Sequence, residues 1–206
     1  MPGKINTNLE NRNRLFLGGS GSGKSYAIKN HPEYKKAKRL IAWDVENEYS
    51  DLTHVSTLHG LVAALLNTKP ANGLRIGLTC DDTPENFEAF CRIVWEYISA
   101  DWPTMVIVEE VADVQKPGRA SYYWGKLSRR GRKYGATIWP VVQRAAEIDK
   151  TVYNQCPFKW VGRLEPEDAK RGATAIGVSV DDIANLKQYH AYLKEPNKPA
   201  KMIKPK

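Results

Sequence analysis

Eight consecutive residues, Gly18-Gly19-Ser20-Gly21-Ser22-Gly23-Lys24-Ser25, fit the pattern G-x-x-x-x-G-K-[ST] in full. Glycines at this density let the backbone curl until successive N–H groups face one point. A helix that begins directly afterwards aims its positive end at the same point. The group that answers such a cradle is a chain of phosphates. Lys24 is placed to reach the β- and γ-phosphates, and the Ser25 hydroxyl to ligate a Mg²⁺ bridging them, so ATP with Mg²⁺ is the expected cofactor pair. The chemistry also needs an acid at the end of a nearby strand. Glu109-Glu110, directly after the apolar run Met105-Val-Ile-Val108, meets that need. Glu109 falls at the metal-side position and Glu110 on the γ-phosphate side, as the base that orients a water. A second acid separates a hydrolase from a small kinase, which attacks with a bound substrate instead.

These side chains require strands that end where the chemistry happens. Arg14 to Leu17 predicts a strand running straight into the glycines, and Lys24 to about Asn30 a helix that stops before Pro32. Further strands are predicted at Arg39–Asp44, Leu74–Leu78, Met105–Val108, Thr137–Val142, Lys159–Leu164 and Gln188–Leu193, with Pro140 as a point of bulging. A helix is expected around Leu61 to Leu66. Another opens at Thr83-Pro84-Glu85, an N-cap with proline at the first helical position, and places Phe87, Phe90, Cys91, Val94, Trp95 and Ile98 on one face. Strands alternating with helices give an α/β fold: a mostly parallel central sheet with helices on both faces. Residues 1–193 read as one P-loop domain. Residues 194–206, with five Lys, three Pro and a single acid, read as a basic, mobile tail.

Composition narrows the class. The 206 residues are 42% hydrophobic and 26% charged, which a globular chain with a core can satisfy. No apolar stretch approaches the ~20 residues of a membrane span, so no stable membrane insertion is expected. The polar start of the chain lacks the apolar region of a secretory signal, which points to action inside a cell. Thirty-one Lys and Arg against 23 Asp and Glu leave a formal charge of +8, which suits a polyanionic partner. Cys80, Cys91 and Cys156 lack metal-site or redox spacing and read as reduced, mostly core-filling thiols. His31, His54, His59 and His190 have no ligand spacing and read as solvated or capping. Asp81-Asp82 and Asp181-Asp182 read as carboxylates at helix starts.

The constellation resembles the FtsK/HerA superfamily of additional-strand P-loop ATPases, through Gly18 to Ser25, the apolar strand ending in Glu109-Glu110, and the strand end Val141-Val142-Gln143-Arg144. Asp44-Val-Glu-Asn-Glu48-Tyr49-Ser50 is similar to the acidic, tyrosine-containing segment after the second strand of HerA-type motors. Gly131-Arg132-Lys133-Tyr134-Gly135 is similar to the stretch before their sensor strand. Glu109 stands where these motors usually carry Asp. The resemblance implies a RecA-like fold and a role for Gln143 as a sensor of the γ-phosphate. Within the superfamily the chain looks most like the small genome-packaging ATPases of icosahedral, internal-membrane viruses. That likeness implies a homo-oligomeric ring that translocates double-stranded DNA into a capsid. It further implies capsid vertex proteins as partners, and the host cytoplasm and the packaging vertex of the virion as locations.

Between Val114 and Ala146 there is no acid, while eight Lys and Arg occur there with Tyr122, Tyr123, Trp124 and Tyr134 among them. Such a block suits contact with DNA phosphates, the aromatics packing or stacking. A ring motor also sends one arginine into its neighbour's site, for which Arg129, Arg130 and Arg132 are the candidates. The turn at Pro117-Gly118 is a candidate pore loop. Two other readings remain open from sequence: a nucleoside or nucleotide kinase, and a filament-assembly or secretion ATPase of the same superfamily.

Overall fold

A computed structural model describes residues 3–116 and 118–204, the side chain of Glu147 excepted. The chain runs β1 (Arg14–Leu17), α1 (Lys24–Asn30), α2 (Pro32–Lys36), β2 (Arg39–Trp43), β3 (Thr53–Val55), α3 (Leu58–Asn67), β4 (Leu74–Leu78) and α4 (Pro84–Tyr97). It continues through β5 (Thr104–Val108), α5 (Val111–Val114), α6 (Tyr122–Arg130), β6 (Ala136–Val142), α7 (Lys150–Gln155), β7 (Phe158–Gly162), α8 (Pro166–Ile176), α9 (Val180–Ala184), β8 (Ala191–Lys194) and β9 (Lys201–Ile203). The strands form one sheet in the order β3-β4-β2-β5-β6-β1-β7-β8-β9. It is parallel from β3 to β7 and antiparallel across β8 and β9.

The strand order sets the site. β6 lies between β1 and β5, with Val108 opposite Pro140 on one side and Leu17 opposite Val142 on the other. Three parallel strands thus end together, so the glycine loop after β1, the acids after β5 and Gln143 after β6 share one edge. This is the additional strand that the family resemblance implies. Pro140 does not interrupt β6. It stands where the ladder to β5 ends and the ladder to β1 begins, so its missing N–H breaks neither.

The central strands are buried at every position in β1, β2 and β5, as expected of parallel strands covered on both faces. On one face α4 packs Phe87, Phe90, Cys91 and Val94 at zero exposure, with Trp43 and Trp124 joining the aromatic cluster. Burying each such ring or aliphatic chain contributes about 1.5–3 kcal/mol. Truncating Phe87 to Ala would cost about 3–5 kcal/mol through the cavity it leaves. The predicted cap holds: the Thr83 hydroxyl accepts from the Asn86 N–H at 3.2 Å. Cys91 and Cys156 are core fillers and Cys80 is half-buried.

Three expectations need correction. The helix around Leu61 to Leu66 begins earlier, at Leu58, because Thr57 caps it by accepting from Gly60 N–H. The strand expected from Gln188 begins at Ala191, since Tyr189 takes a left-handed backbone (φ 63) that no strand can contain. The expected tail from residue 194 is instead a hairpin. Asn197, at φ 57, turns the chain so that Lys201–Ile203 pairs antiparallel with β8. Lys201 is exposed on this edge strand, a placement that blunts edge-to-edge pairing and also lowers the hydrophobicity by which a strand is recognised. The short strand β3 carries no signal that sequence reading used.

Candidate phosphate cleft and acidic pair

The loop from Gly18 to Ser25 is tied to the sheet at both neighbours of β1. Gly18 N–H donates to Val142 O on β6 at 3.1 Å, and Gly19 N–H to Arg163 O after β7 at 2.8 Å. A Cβ on Gly18 would lie 2.6 Å from Ser22 Oγ, 3.2 Å from Ser22 Cβ and 3.3 Å from Trp160 Cζ3, so a side chain there would force its neighbours to shift. Gly23 sits at φ 97, in the left-handed region, where a side chain adds strain to a clash with Tyr189. Lys24 then begins α1. Its ammonium donates to Gly18 O at 2.7 Å and Gly19 O at 3.3 Å, which holds it across the mouth of the loop. Burial lowers its pKa, opposed by the charges of Glu110, Glu109 and Glu48.

A cleft of about 240 Å³ joins this loop to the acids, lined by Ser20, Lys24, Ser25, Glu109, Glu110 and Gln143 among others. The predicted phosphate, metal and acidic residues are therefore brought together. Glu109 extends the β5 ladder, its N–H donating to Trp43 O at 3.0 Å. Its carboxylate accepts a hydrogen bond from Tyr49 Oη, and burial raises its pKa to about 7 against the pull of Tyr49 and Lys24. Tyr49 is itself placed by buried Asp44, which accepts from Glu48 N–H at 2.7 Å and Tyr49 N–H at 3.1 Å and contacts His54 Nε2 at 2.8 Å. His54 is thus fixed on a carboxylate rather than solvated. His31 caps α2.

Glu110 has a left-handed backbone, φ 36 and ψ 62, which is uncommon for a residue with a side chain and recurs where local strain serves a site. The turn directs its carboxylate across to β6, where Oε1 accepts from the Gln143 N–H at 3.2 Å. Burial raises the Glu110 pKa, opposed by Gln143 and by Lys24. The sequence-predicted base and sensor are therefore in direct contact. Asp82, read as a helix-start carboxylate, lines the same cleft, as does Asp113. Tyr49 was visible in sequence only as part of a family-like segment; its bond to Glu109 spans 60 positions.

The basic block divides. Trp124 is fully buried and donates to Asp149 at 3.1 Å, so it is core. Lys126 lies over Trp95, Tyr122 and Tyr123, 4.7–5.4 Å from their centroids. Arg132 donates through Nη1 to the carbonyls of Thr7 and Leu9, which ties its side chain to its own amino-terminal segment. Arg129 and Arg130 are exposed at the end of α6. They precede β6 and so sit near its amino end, about 20 Å of strand away from the glycine loop. Lys116 and Arg119 are exposed; Pro117 of the candidate pore turn lies outside the described residues.

Among the described residues no trio of His, Cys, Asp or Glu could hold a metal by itself. Ser25 and Glu109, two hard oxygen donors on one cleft, suit a Mg²⁺ that keeps waters and phosphates as its other ligands.

No protein-family model matches the chain. It is 40% identical over 197 residues to protein P9 of Pseudoalteromonas phage PM2, spanning 93% of this chain and 89% of that one. Over 92 residues, 41% of this chain and 18% of the other, it is 35% identical to a probable DNA double-strand break repair helicase HerA of Methanocaldococcus jannaschii. Its fold matches the genome packaging NTPase B204 of Sulfolobus turreted icosahedral virus 2, solved with AMPPCP. The TM-score is 0.75 at 22% identity, over 95% of this chain and 98% of that one.

Proposed function

The chain belongs to the family of phage PM2 protein P9 and has the P-loop ATPase fold of the FtsK/HerA kind, and from that premise we propose that it is a Mg²⁺-dependent ATPase that works as a ring and drives double-stranded DNA into a viral capsid. The observation that supports hydrolysis is the Glu110 carboxylate, which accepts from the Gln143 N–H in the cleft that Lys24 also lines, where it would face a γ-phosphate. The loop N–H groups and Lys24 bind and orient the phosphates. Ser25 and Glu109 would hold Mg²⁺, which when bound would supply charge neutralisation to the phosphates. Glu110 takes a proton from a water as the water oxygen bonds to the γ-phosphorus; the bond from that phosphorus to the bridging oxygen breaks, leaving ADP and phosphate. Gln143, bonded to the base and one residue beyond the carbonyl that holds Gly18, is the group that senses the γ-phosphate.

A motor role draws on the named relatives, a viral packaging NTPase and a helicase, and on the exposed basic residues around α6. Capsid vertex proteins as partners, and the host cytoplasm and packaging vertex as locations, follow from the same relatives. The test is the ATPase rate of the purified chain with and without double-stranded DNA. Expected are Mg²⁺-dependent hydrolysis without a phosphoacceptor, stimulation by DNA, and for Glu110→Gln a loss of two or more orders of magnitude in turnover with ATP still bound. ADP release that depends on a phosphoacceptor would replace this reading with a kinase. Hydrolysis indifferent to DNA would replace the translocase with an assembly or secretion ATPase.

A further inference from the structure

A second opening adjoins the glycine loop on the flank away from the acids. Ser25 and Tyr26 are neighbours in sequence, yet Ser25 lines the acidic cleft while Tyr26 lines a largely apolar groove together with Gly23, Trp160, Tyr189 and Leu193. The sheet order explains the divergence. From β1, the acids of β5 lie beyond β6 in one direction, while β7 with Trp160 and β8 with Leu193 lie in the other. A nucleotide that presents its γ-phosphate to Glu110 and lays its phosphates along the loop carries its base toward this groove.

Two tyrosines form the mouth. Tyr26 stands on the first turn of α1 and Tyr189 on the turn before β8; their ring centroids are 6.3 Å apart at 52°, and both are about half exposed. Tyr189 is set in place by more than its own packing. Its left-handed backbone is uncommon for an aromatic residue, the Gln188 amide donates to Gly21 O at 3.4 Å, and a Cβ on Gly23 would lie 2.7 Å from Tyr189 Cδ1. The ring is thus held against the loop that holds the phosphates. Asn30, the amide side chain that lines this groove, is already used, donating to Tyr26 O and accepting from Lys35.

We propose that Tyr26 and Tyr189 are the nucleobase platform of this site, holding the base by stacking rather than by reading its edge. Stacking is available to every base, so purine and pyrimidine triphosphates bind with similar affinity. The proposal rests on the nucleotide-binding reading of the loop, and the experiment separates the two. Binding of ATP, CTP and inorganic tripolyphosphate is measured calorimetrically for the parent chain and for Tyr26→Leu, Tyr189→Leu and Tyr189→Phe. Leucine keeps bulk against Gly23 but has no ring. Expected is a roughly ten- to hundredfold weaker ATP and CTP affinity for the leucine variants, unchanged tripolyphosphate affinity, and near-parental binding for Tyr189→Phe. Unchanged ATP affinity in both leucine variants overturns the platform. So does an equal loss for ATP and tripolyphosphate, which would make Tyr189 a prop for the loop, and so does a strong preference of the parent for one base. If Tyr189→Leu does not fold, Tyr26→Leu, on an exposed helix surface, decides alone. A parent chain that binds neither ATP nor tripolyphosphate would overturn the loop reading as well.

Discussion

The phenol of Tyr49 donates a hydrogen bond to the carboxylate of Glu109, joining the loop after β2 to the acid at the end of β5. Asp44, wholly buried, holds the backbone of that loop, and His54 on β3 holds Asp44. Glu109 is therefore oriented from three strands away from the glycine loop. Tyr49→Phe keeps the ring packing and removes only the donor. A partly buried acceptor without its partner costs about 1–3 kcal/mol, so the variant should melt at a lower temperature. The functional readout is Mg²⁺ titration of ATPase activity: the concentration for half-maximal rate should rise several-fold. A lowered melting temperature with an unchanged Mg²⁺ requirement would make Tyr49 purely structural.

Glu109 also makes stability depend on pH. Burial raises its folded pKa to about 7 from an ordinary 4.5, so between those values the folded chain binds more protons than the unfolded one. This contribution to stability is present in full below 4.5, falls as pH rises through 7, and is constant above. Glu109→Gln cannot titrate. Thermal unfolding of the nucleotide-free proteins across this range should show the variant gaining on the parent as pH rises. Parallel curves would contradict the assignment.

Arg129 and Arg130 stand near the amino end of β6, while their own chain's phosphate loop is at the other edge of the sheet. If either is a finger, it would act on a neighbouring subunit, where it would stabilise charge on the transferring phosphoryl group. Subunits carrying Arg129→Ala or Arg130→Ala, mixed with Glu110→Gln subunits, should recover single-turnover hydrolysis that neither has alone, because some interfaces then pair an intact acid with an intact arginine. No recovery for either arginine, where rings demonstrably form, would exclude both. Arg132→Ala should instead lower thermal stability, since it releases the carbonyls of Thr7 and Leu9.

DNA binding should be indifferent to sequence and should weaken log-linearly with salt. Exposed Lys116 and Arg119 are free to meet phosphates, so replacing both with Gln should reduce the slope by about two. Lys126, packed over three rings, is different: Lys126→Gln should lower the melting temperature and leave the slope nearly unchanged. Fluorescence titration of one duplex at a series of salt concentrations distinguishes these outcomes.

The phosphate loop, the acidic pair and the parallel core were legible in the chain because each is local: spacing in Gly18 to Ser25, an apolar run before Glu109-Glu110, and helix caps such as Thr83. Gln143 and the family likeness were legible as ordered motifs. What the tertiary structure alone decided depends on contacts between distant segments or on backbone angles that composition does not reveal. Tyr49 meets Glu109 only because β2 and β5 are adjacent in the sheet. Tyr189 meets Gly23 only because a tyrosine adopts a left-handed turn. The same holds for charge. A lysine- and proline-rich end looks like a mobile tail until Asn197 folds it into β9. A run of arginines looks uniform until Arg132 is found on backbone carbonyls and its neighbours in solvent. Residue type sets what a side chain can do, and the partner that the fold delivers to it sets what it does.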